Sequence, residues 1–269
     1  YFTISYTGVL RFITEPDYEN PGDSGRDNLY DIKISVHDGT NTTSQALTIH
    51  VSNTNDNTPV ITSAATFSAA ENQTSVSTVA ASDADGDSLT YTLTGTDASS
   101  FSISSSGVIT FGSAPDYETK STYSATVTAS DGVNTTSQDL TITVTNVNDN
   151  SPVFTSSATF SAAENQTTVG TVTATDSEGD TITFSVSGSE LSITSAGVLT
   201  FASAPDYETK STYTATVTAS DGTNTTTQDL TISVTNVNDN DPAFTSSATF
   251  SAAENQTAIG TVTASDADG

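Results

Sequence analysis

The sequence predicts an all-β protein made of tandem sandwich domains, and a short alternation and a long repeat lead to that prediction. Along most of the chain, apolar and polar residues alternate with a period of two, as in Tyr123, Ala125, Val127 and Ala129. This alternation is typical of strands with one buried face. The pattern N-x-N-D-N recurs at residues 53, 146 and 236, at spacings of 93 and 90 residues. A fixed period of this length indicates repeated domains.

The alternation in the second repeat predicts seven strands. They cover residues 60–68, 76–82, 89–94, 101–104, 108–112, 122–130 and 138–146. Gly, Pro, Asn and Asp separate them, and seven short strands in about 90 residues predict an immunoglobulin-like Greek-key sandwich. An odd number of strands places the start and the end of a domain at opposite ends. Because the linkers are short, we expect the domains to stack end to end.

Alignment of the repeats predicts the domain boundaries. Residues 58–150 and 151–240 are complete repeats, residues 1–57 are the C-terminal half of one, and residues 241–269 are the N-terminal part of another. We expect the chain to be a piece of a longer array, since it begins and ends within a repeat. If it is instead a mature chain, its two partial repeats would complete each other head to tail and build a filament.

The composition favours cation binding. The chain has 5 Lys and Arg against 32 Asp and Glu, a formal net charge of −27. This balance argues against binding nucleic acid or an anionic membrane, because both require a basic surface. With no Cys, the chain has neither disulfides nor thiol chemistry, and no apolar run approaches the ~20 residues of a membrane span.

Three acidic motifs recur with the repeat. They are the linker N-x-N-D-N, the segment P-D-Y-E at residues 16–19, 115–118 and 205–208, and the pair D-x-D, or D-x-E, at residues 83–85, 176–178 and 266–268. The predicted strands place P-D-Y-E at the C-terminal end of each repeat and D-x-D at the N-terminal end. Each junction between stacked repeats should therefore gather acids from both sides of the linker.

These positions define three sets of candidate metal ligands. The first junction contains Asp17, Glu19, Asn53, Asn55, Asp56, Asn57, Asp83, Asp85 and Asp131. The second contains Glu71, Asp116, Glu118, Asn146, Asn148, Asp149, Asn150, Asp176, Glu178 and Asp221. The third contains Glu164, Asp206, Glu208, Asn236, Asn238, Asp239, Asn240, Asp266 and Asp268.

The ligand chemistry of these sets favours Ca²⁺. Carboxylates crowded into one small volume repel one another unless a cation or a proton compensates them. Ca²⁺ takes 6–8 oxygen ligands in flexible geometry, whereas Mg²⁺ prefers a few protein ligands and retained waters. Soft metals lack their ligands, since the chain has no Cys and only two His. The alternative is that the acids are ordinary turn residues, because Asp and Asn favour turns.

At these residues the chain resembles cadherin repeats, in particular the bacterial cadherin-like tandem arrays of large surface adhesins. The resemblance rests on the linker followed by Pro152-Val153-Phe154, on Ala163-Glu164-Asn165, on D-x-D, on P-D-Y-E and on Ala129-Ser130-Asp131-Gly132. These five motifs recur in the right order over essentially the whole chain. One departure is Asn at the first linker position, where the family usually has Asp, which removes one charge per junction.

The resemblance implies a structural role outside the cell. It implies Ca²⁺ ions in each linker, stiffening of the array, and an adhesin, stalk or filament at a cell surface, with neighbouring repeats or like chains as partners. The alternative is a recognition module that binds a glycan or a like domain directly. The sequence has no catalytic triad, phosphate loop or zinc pattern, and we expect no enzymatic activity.

Overall fold

A computed structural model describes all 269 residues. The chain divides into two compact units, Tyr1–Asn146 and Val147–Gly269. Apart from one three-residue 3-10 helix at Ala98–Ser100, the regular elements are strands, which confirms the predicted all-β class. No helix is long and apolar enough to cross a membrane.

The first unit contains the predicted first repeat, residues 1–57, and residues 58–146 of the predicted second repeat. The partial repeat has four strands: β1 (Phe2–Ile4), β2 (Leu10–Phe12), β3 (Leu29–His37) and β4 (Thr42–His50). The second repeat has nine: β5 (Val60–Ile61), β6 (Thr66–Ala70), β7 (Ser75–Thr78), β8 (Ala81–Ser82), β9 (Thr90–Thr94), β10 (Phe101–Ile103), β11 (Val108–Phe111), β12 (Thr122–Ser130) and β13 (Thr135–Thr145).

Two sheets enclose the core of the second repeat. One has the strand order β6-β13-β12-β9, in which β6 runs parallel to β13 and the other pairs are antiparallel. The other has the order β10-β11-β7, and a separate pair joins β5 to β8. Since β6 precedes β7 in the chain but pairs with β13, the chain crosses between the sheets, as expected of a Greek-key sandwich.

The predicted first and second strands were wrong in one respect, because each is broken in two. Instead of one strand over residues 60–68, the chain forms β5, passes through residues 62–65, and resumes as β6 in another sheet. The N–H groups of Thr62 and Ser63 donate to the carbonyl oxygen of Ala80, at 2.8 and 3.3 Å. The second strand breaks around Val79, whose N–H donates to the carbonyl oxygen of Gly107 at 2.9 Å.

The second unit repeats this topology. The third repeat has nine strands: β14 (Val153–Phe154), β15 (Thr159–Ala163), β16 (Thr168–Thr171), β17 (Ala174–Thr175), β18 (Thr183–Val186), β19 (Leu191–Ile193), β20 (Val198–Phe201), β21 (Thr212–Ser220) and β22 (Thr225–Thr235). Its sheets have the orders β15-β22-β21-β18 and β16-β20-β19. A final pair, β23 (Ala243–Phe244) and β24 (Ala264–Ser265), lies in the last partial repeat.

Each complete repeat has its own hydrophobic core. In the second repeat, alternate residues of β13, namely Leu140, Ile142 and Val144, are at most 2% exposed. The equivalent side chains of β22 form the core of the third repeat. Full burial of such a side chain stabilises a fold by about 1.5–3 kcal/mol, and the residues between them on the outer face are Thr, Ser or Asp.

The partial first repeat packs around an aromatic cluster. The ring of Tyr30 is buried and makes edge contacts with Phe2 and Phe12, at centroid distances of 5.7 and 5.3 Å. The loop at residues 20–28 is partly packed. Asp23 is buried, and its Oδ1 accepts the backbone N–H of Asn28 at 3.2 Å. The loop therefore folds around the carboxylate of Asp23.

Two glycines of the third repeat have a similar backbone conformation but differ in the space available for a side chain. Gly197 and Gly188 both have positive φ, 85° and 79°. A Cβ on Gly197 would lie 2.1 Å from the carbonyl oxygen of Val172, whereas one on Gly188 would meet nothing within 4 Å.

We expect Gly197→Ala to destabilise the repeat more than Gly188→Ala, whose cost is the conformational strain of about 1–3 kcal/mol. Urea unfolding of the two variants measures the difference. Equal losses of stability would contradict the close approach of the backbone at Gly197.

Candidate metal centre

The first linker is bound to the carboxylate of the D-x-D motif. Oδ2 of Asp85 accepts the backbone N–H groups of Asp56 and Asn57 at 3.1 and 2.8 Å. Nδ2 of Asn57 donates to the other oxygen of Asp85 at 3.0 Å. The linker therefore wraps around one acid of the following repeat.

The same arrangement recurs twice in the second unit. Oδ2 of Asp268 accepts the N–H groups of Asp239 and Asn240 at 2.9 and 2.7 Å. In the preceding linker, Glu178 takes this place, and its Oε1 accepts the N–H of Asn150 at 3.2 Å as well as its side-chain amide. The longer Glu side chain reaches the same kind of linker donor as Asp.

Three acids of the first set converge although they are far apart in the sequence. Glu19, Asp56 and Asp85 each place a carboxylate oxygen within 4.8 Å of the other two. Partial desolvation, followed by the charges of Asp85 and Asp56, raises the pKa of Glu19 above its ordinary value. Desolvation also opposes ionisation of Asp85, but the hydrogen bonds from Asn57 outweigh it and lower the pKa of that carboxyl.

A second cluster lies beside the first. Asp83, Asp85 and Asp87 have carboxylate oxygens within 4.8 Å of one another. Oδ1 of Asp83 accepts the N–H of Asp85 at 2.9 Å, while Oδ2 of Asp83 is buried without a hydrogen-bond partner. A buried carboxylate oxygen is costly without a partner, and a cation would satisfy it.

The other members of the first set hold the ends of the linker. Nδ2 of Asn53 donates to the carbonyl of Asp85 at 2.7 Å, and Nδ2 of Asn55 donates to the carbonyl of Asp131 at 3.2 Å. Asp17 stands apart from these contacts, since its Oδ1 accepts the N–H of Asn20 in its own turn at 2.9 Å.

The C-terminal ends of the complete repeats each carry a cluster of three acids. Glu71, Asp116 and Glu118 form one, with carboxylate oxygens within 4.8 Å of each other. Glu71 is 3% exposed, and its Oε2 accepts the N–H of Tyr117 at 2.7 Å. Asp116 also caps its own turn, accepting the N–H of Thr119 at 3.0 Å. The buried Glu thus holds the P-D-Y-E segment against the end of its strand.

The equivalent cluster in the third repeat comprises Glu164, Asp206 and Glu208. Glu164 is 3% exposed and bridges two segments, accepting the N–H of Tyr207 and that of Val237, both at 2.7 Å. Desolvation, followed by the charges of Glu164 and Asp268, raises the pKa of Glu208. One acid here is crowded by its neighbours, as Glu19 is in the first unit.

The middle set divides between the two compact units. Glu71, Asp116, Glu118 and the exposed Asn146 belong to the first unit. In the second, Oδ1 of Asp149 accepts Nδ2 of Asn150 at 2.8 Å, and Oδ1 of Asp176 accepts the N–H of Glu178 at 3.0 Å. Oδ2 of Asp176 and Oε2 of Glu178 are buried without a hydrogen-bond partner.

The third set repeats the pattern of the first. Nδ2 of Asn236 donates to the carbonyl of Asp268 at 3.0 Å, and Oδ1 of Asp266 accepts the N–H of Asp268 at 3.0 Å. Asn238 is exposed in the linker. Nδ2 of Asn240 lies 3.4 Å from Oε2 of Glu208, as Nδ2 of Asn57 lies 3.3 Å from Oε2 of Glu19.

Sequence reasoning missed one residue in each complete repeat that joins the linker to the next acid. Nδ2 of Asn134 lies 3.2 Å from Oδ1 of Asn55, 2.9 Å from the carbonyl of Asn57 and 3.4 Å from Oδ2 of Asp131. Asn224 makes the same three contacts with Asn148, Asn150 and Asp221. The signal was its recurrence three residues after the Asp of the A-S-D-G motif.

The Asp at the start of this turn is fixed by the same segment. Oδ1 of Asp131 accepts the N–H groups of Val133 and Asn134 at 2.7 and 2.6 Å. In the third repeat, Oδ1 of Asp221 accepts those of Thr223 and Asn224 at the same distances. Both carboxylates are held beside the linker without a positive partner.

The one Lys of each complete repeat is bound away from the acidic clusters. Lys120 follows Glu118 by two residues, but its Nζ lies 2.5 Å from Asp97 and 4.6 Å from the ring centroid of Tyr123. Lys210 makes the same contacts with Glu190 and Tyr213, at 2.6 and 4.4 Å. The two Lys side chains are therefore engaged by Asp97 and Glu190, which lie outside the acidic clusters.

The donor set of these clusters fits a hard cation. The groups available are carboxylate, amide and backbone oxygens, which are the ligands that Ca²⁺ prefers. The three buried carboxylate oxygens without partners, on Asp83, Asp176 and Glu178, lie in the D-x-D and D-x-E motifs that bind the linkers. Such an arrangement can bind a cation between segments that are distant in the sequence.

Two family profiles match the complete repeats. The Cadherin domain family matches residues 65–146, and the family described as Bacterial Ig domain matches residues 148–235. Among curated proteins, the Protocadherin-like wing polarity protein stan of Drosophila melanogaster is 33% identical over 89% of the chain. The Cadherin EGF LAG seven-pass G-type receptor 2 of Mus musculus is 31% identical over 92% of it. The chain spans only 8% and 9% of the lengths of these relatives.

Solved structures show the same fold. Three domains of mouse Cadherin-23, EC22-24, superpose with a TM-score of 0.66 at 26% identity, covering 79% of this chain and 78% of that one. The Protocadherin GammaB4 extracellular domain superposes with a TM-score of 0.75 at 24% identity, covering 99% of this chain and 47% of that one. The matched family and the relatives confirm the resemblance to cadherin repeats.

The contacts of Asn134 lead to a prediction for the first linker. We expect Asn134→Ala to speed hydrogen exchange of the backbone amides of residues 53–57, because the linker loses two hydrogen bonds worth about 1 kcal/mol each. Thr135→Ala, at the exposed neighbouring position, serves as the matched control and should leave that exchange unchanged. Hydrogen exchange is measured by mass spectrometry in the presence of chelator, so that the result does not depend on any cation. Unchanged exchange of the linker amides in Asn134→Ala would contradict the prediction.

Proposed function

Because the chain is built from cadherin-like tandem repeats, we propose that it is a segment of an extracellular adhesion array that Ca²⁺ stiffens at the linkers. The repeats of such an array act as spacers in an adhesin, stalk or filament at a cell surface. The complete repeats are residues 58–150 and 151–240, flanked by the partial repeats 1–57 and 241–269. The fold and the family relationship support the array, and the acidic clusters support the cation.

One observation carries the proposal of a cation. Glu19, Asp56 and Asp85 come from the end of one repeat, the linker and the start of the next, and their oxygens lie within 4.8 Å of one another. Ionised carboxylates only accept hydrogen bonds, so they cannot stabilise each other directly. A divalent cation converts their repulsion into attraction and joins the three segments.

The ligand sets follow from the same geometry. In the first unit, Glu19, Asp56, Asp83, Asp85 and Asp131 would bind the ions, with linker Asn carbonyls completing the coordination. In the second unit, the corresponding residues are Glu208, Asp239, Asp266 and Asp268. The remaining acids and linker Asn residues of the three sets occupy equivalent sequence positions. Glu178 stands where the other two motifs have Asp85 and Asp268, so the second linker should differ in affinity from the other two.

The chain's own residues already order part of each linker. The hydrogen bonds to Asp85 and Asp268 hold the linker backbone before any ion binds, so the ion needs to neutralise charge rather than to fold the linker. Extracellular modules bind Ca²⁺ with dissociation constants of about 10⁻⁴–10⁻³ M. A ligand present at about 100 times its dissociation constant adds about 2.7 kcal/mol of stability per site.

We expect Ca²⁺ at about 10 mM to raise the melting temperature of the chain by more than about 5 °C over chelator. Asp85→Asn keeps one acceptor oxygen for the linker but removes a charged ligand, so it should lose part of the increase. Asp139→Asn, on the outer face of β13, is the matched control. Small-angle scattering should show a longer, stiffer particle with Ca²⁺. An unchanged melting temperature in Ca²⁺ would contradict the proposal, and the same increase with Mg²⁺ would contradict the choice of metal.

A further inference from the structure

Each complete repeat has one Lys, and that Lys directly follows its acidic P-D-Y-E motif and a Thr. In the third repeat, the backbone N–H of Lys210 donates to the carbonyl oxygen of Asp206 at 2.8 Å, which closes one helical turn. Side chains four residues apart on such a turn are neighbours, and an acid and a Lys at this spacing attract each other. The local sequence therefore offers Lys210 the carboxylate of Asp206, which belongs to the cluster with Glu164 and Glu208.

The ammonium of Lys210 is nevertheless bound outside that cluster. Its Nζ lies 2.6 Å from Oε1 of Glu190 and 4.4 Å from the ring centroid of Tyr213. The carboxylate of Asp206 instead accepts the N–H and the hydroxyl of Thr209, at 3.0 and 2.9 Å. The acid that holds the Lys comes from another part of the repeat, 20 residues earlier in the chain.

The second repeat reaches the same arrangement with a different acid. Nζ of Lys120 lies 2.5 Å from Oδ1 of Asp97 and 4.6 Å from the ring centroid of Tyr123. Asp97 is 23 residues away from its Lys, and it precedes the 3-10 helix at Ala98–Ser100, which has no counterpart in the third repeat. The position of the ammonium is therefore common to both repeats, although the two acids differ in type and in place.

The position of the ammonium matters for a cation, because an ammonium and a metal ion compete for the same carboxylates. Lys has a compact charge on a flexible four-carbon stem. The side chains of Lys210 and Glu190 are 41% and 54% exposed, so they can separate without unpacking the core. Once released, the ammonium would meet the acids that lie four and two residues before it, Asp206 and Glu208.

We propose that Asp97 and Glu190 are positioning residues, which hold the Lys of each complete repeat over a Tyr ring and so keep its ammonium out of the acidic cluster at the end of that repeat. The cation is the one proposed above, so this role depends on Ca²⁺ binding at the clusters. The two acids do not bind the ion. They raise the affinity of the cluster by removing a competitor that the local sequence supplies.

The first experiment locates the Lys in chelator, where no cation takes part. An aromatic ring shifts the proton resonances of groups above its face upfield. In the parent chain, the ε-methylene protons of Lys210 should therefore lie upfield of those of the exposed Lys33. Glu190→Gln keeps the size of the side chain but removes its charge, and should move these resonances toward those of Lys33. Resonances that stay upfield in this variant would overturn the proposal.

The second experiment measures the Ca²⁺ affinity of each cluster by nuclear magnetic resonance at low ionic strength, where exposed charges are least screened. The reporter is the backbone amide of Tyr207, which is bonded to Glu164. Competition by the released ammonium should raise the dissociation constant in Glu190→Gln about two- to fivefold, the range that corresponds to an exposed ion pair. Asp97→Asn should have the same effect at the amide of Tyr117, which is bonded to Glu71.

Two controls separate this effect from the loss of one negative charge. Asp229→Asn makes the same charge change at an exposed position of β22 and should leave the affinity reported by Tyr207 unchanged. In a Lys210→Gln background, Glu190→Gln should have no effect, because the competitor is absent. An equal loss in Asp229→Asn, or a loss that persists without the Lys, would overturn the proposal.

The failure of this role and the failure of the cation site give different results. If the parent chain binds Ca²⁺ and Glu190→Gln binds it equally well, the role of Glu190 is overturned and the cation site stands. If the amides of Tyr117 and Tyr207 do not respond to Ca²⁺ in the parent chain, the proposed function is overturned, and the role of the two acids with it.

Discussion

Side chains that can only accept hydrogen bonds hold the linkers, and the rest of each junction depends on this constraint. An ionised carboxylate such as Asp85 or Asp268 attracts the backbone N–H groups of the linker and so fixes its path. The same carboxylate repels every other acid that the path brings near. The geometry that orders the linker therefore creates the negative charge density that a cation would neutralise, and neither effect can be removed without the other.

The positions of the strands could be predicted where alternation and burial coincide. Strands β12 and β13 follow the alternation closely, since one face of each packs into the core. The break between β5 and β6 could not be predicted, because Thr62, Ser63, Ala64 and Ala65 are small residues that suit a strand and a crossing equally well. The position of the break depends on the pairing of β6 with β13, about 75 residues later in the chain. No local sequence pattern indicates that contact.

The recurrence of the acids allowed the residues of the candidate site to be predicted, but not their atomic contacts. Periodicity grouped Glu19, Asp56 and Asp85, which the fold brings together. It could not assign a contact to Asn134, since an Asn followed by two Thr residues in a turn has several ordinary explanations. Its role emerges only when the linker from 77 positions earlier lies against it. Repetition indicates which residues matter together, whereas the hydrogen bonds indicate how.

The pairing of Lys120 has a consequence for how long such a chain persists outside a cell. Proteases that cut after Lys or Arg find one such residue in each complete repeat. There, the Lys side chain is held between an acid and a Tyr ring, and its backbone N–H is bonded to the carbonyl of Asp116 in the second repeat or of Asp206 in the third. A protease needs that segment in an extended, released state, which occurs only when the local structure opens. Resistance to digestion at this Lys is therefore set by the free energy of that local opening, and a sequence poor in basic residues leaves few other points of attack.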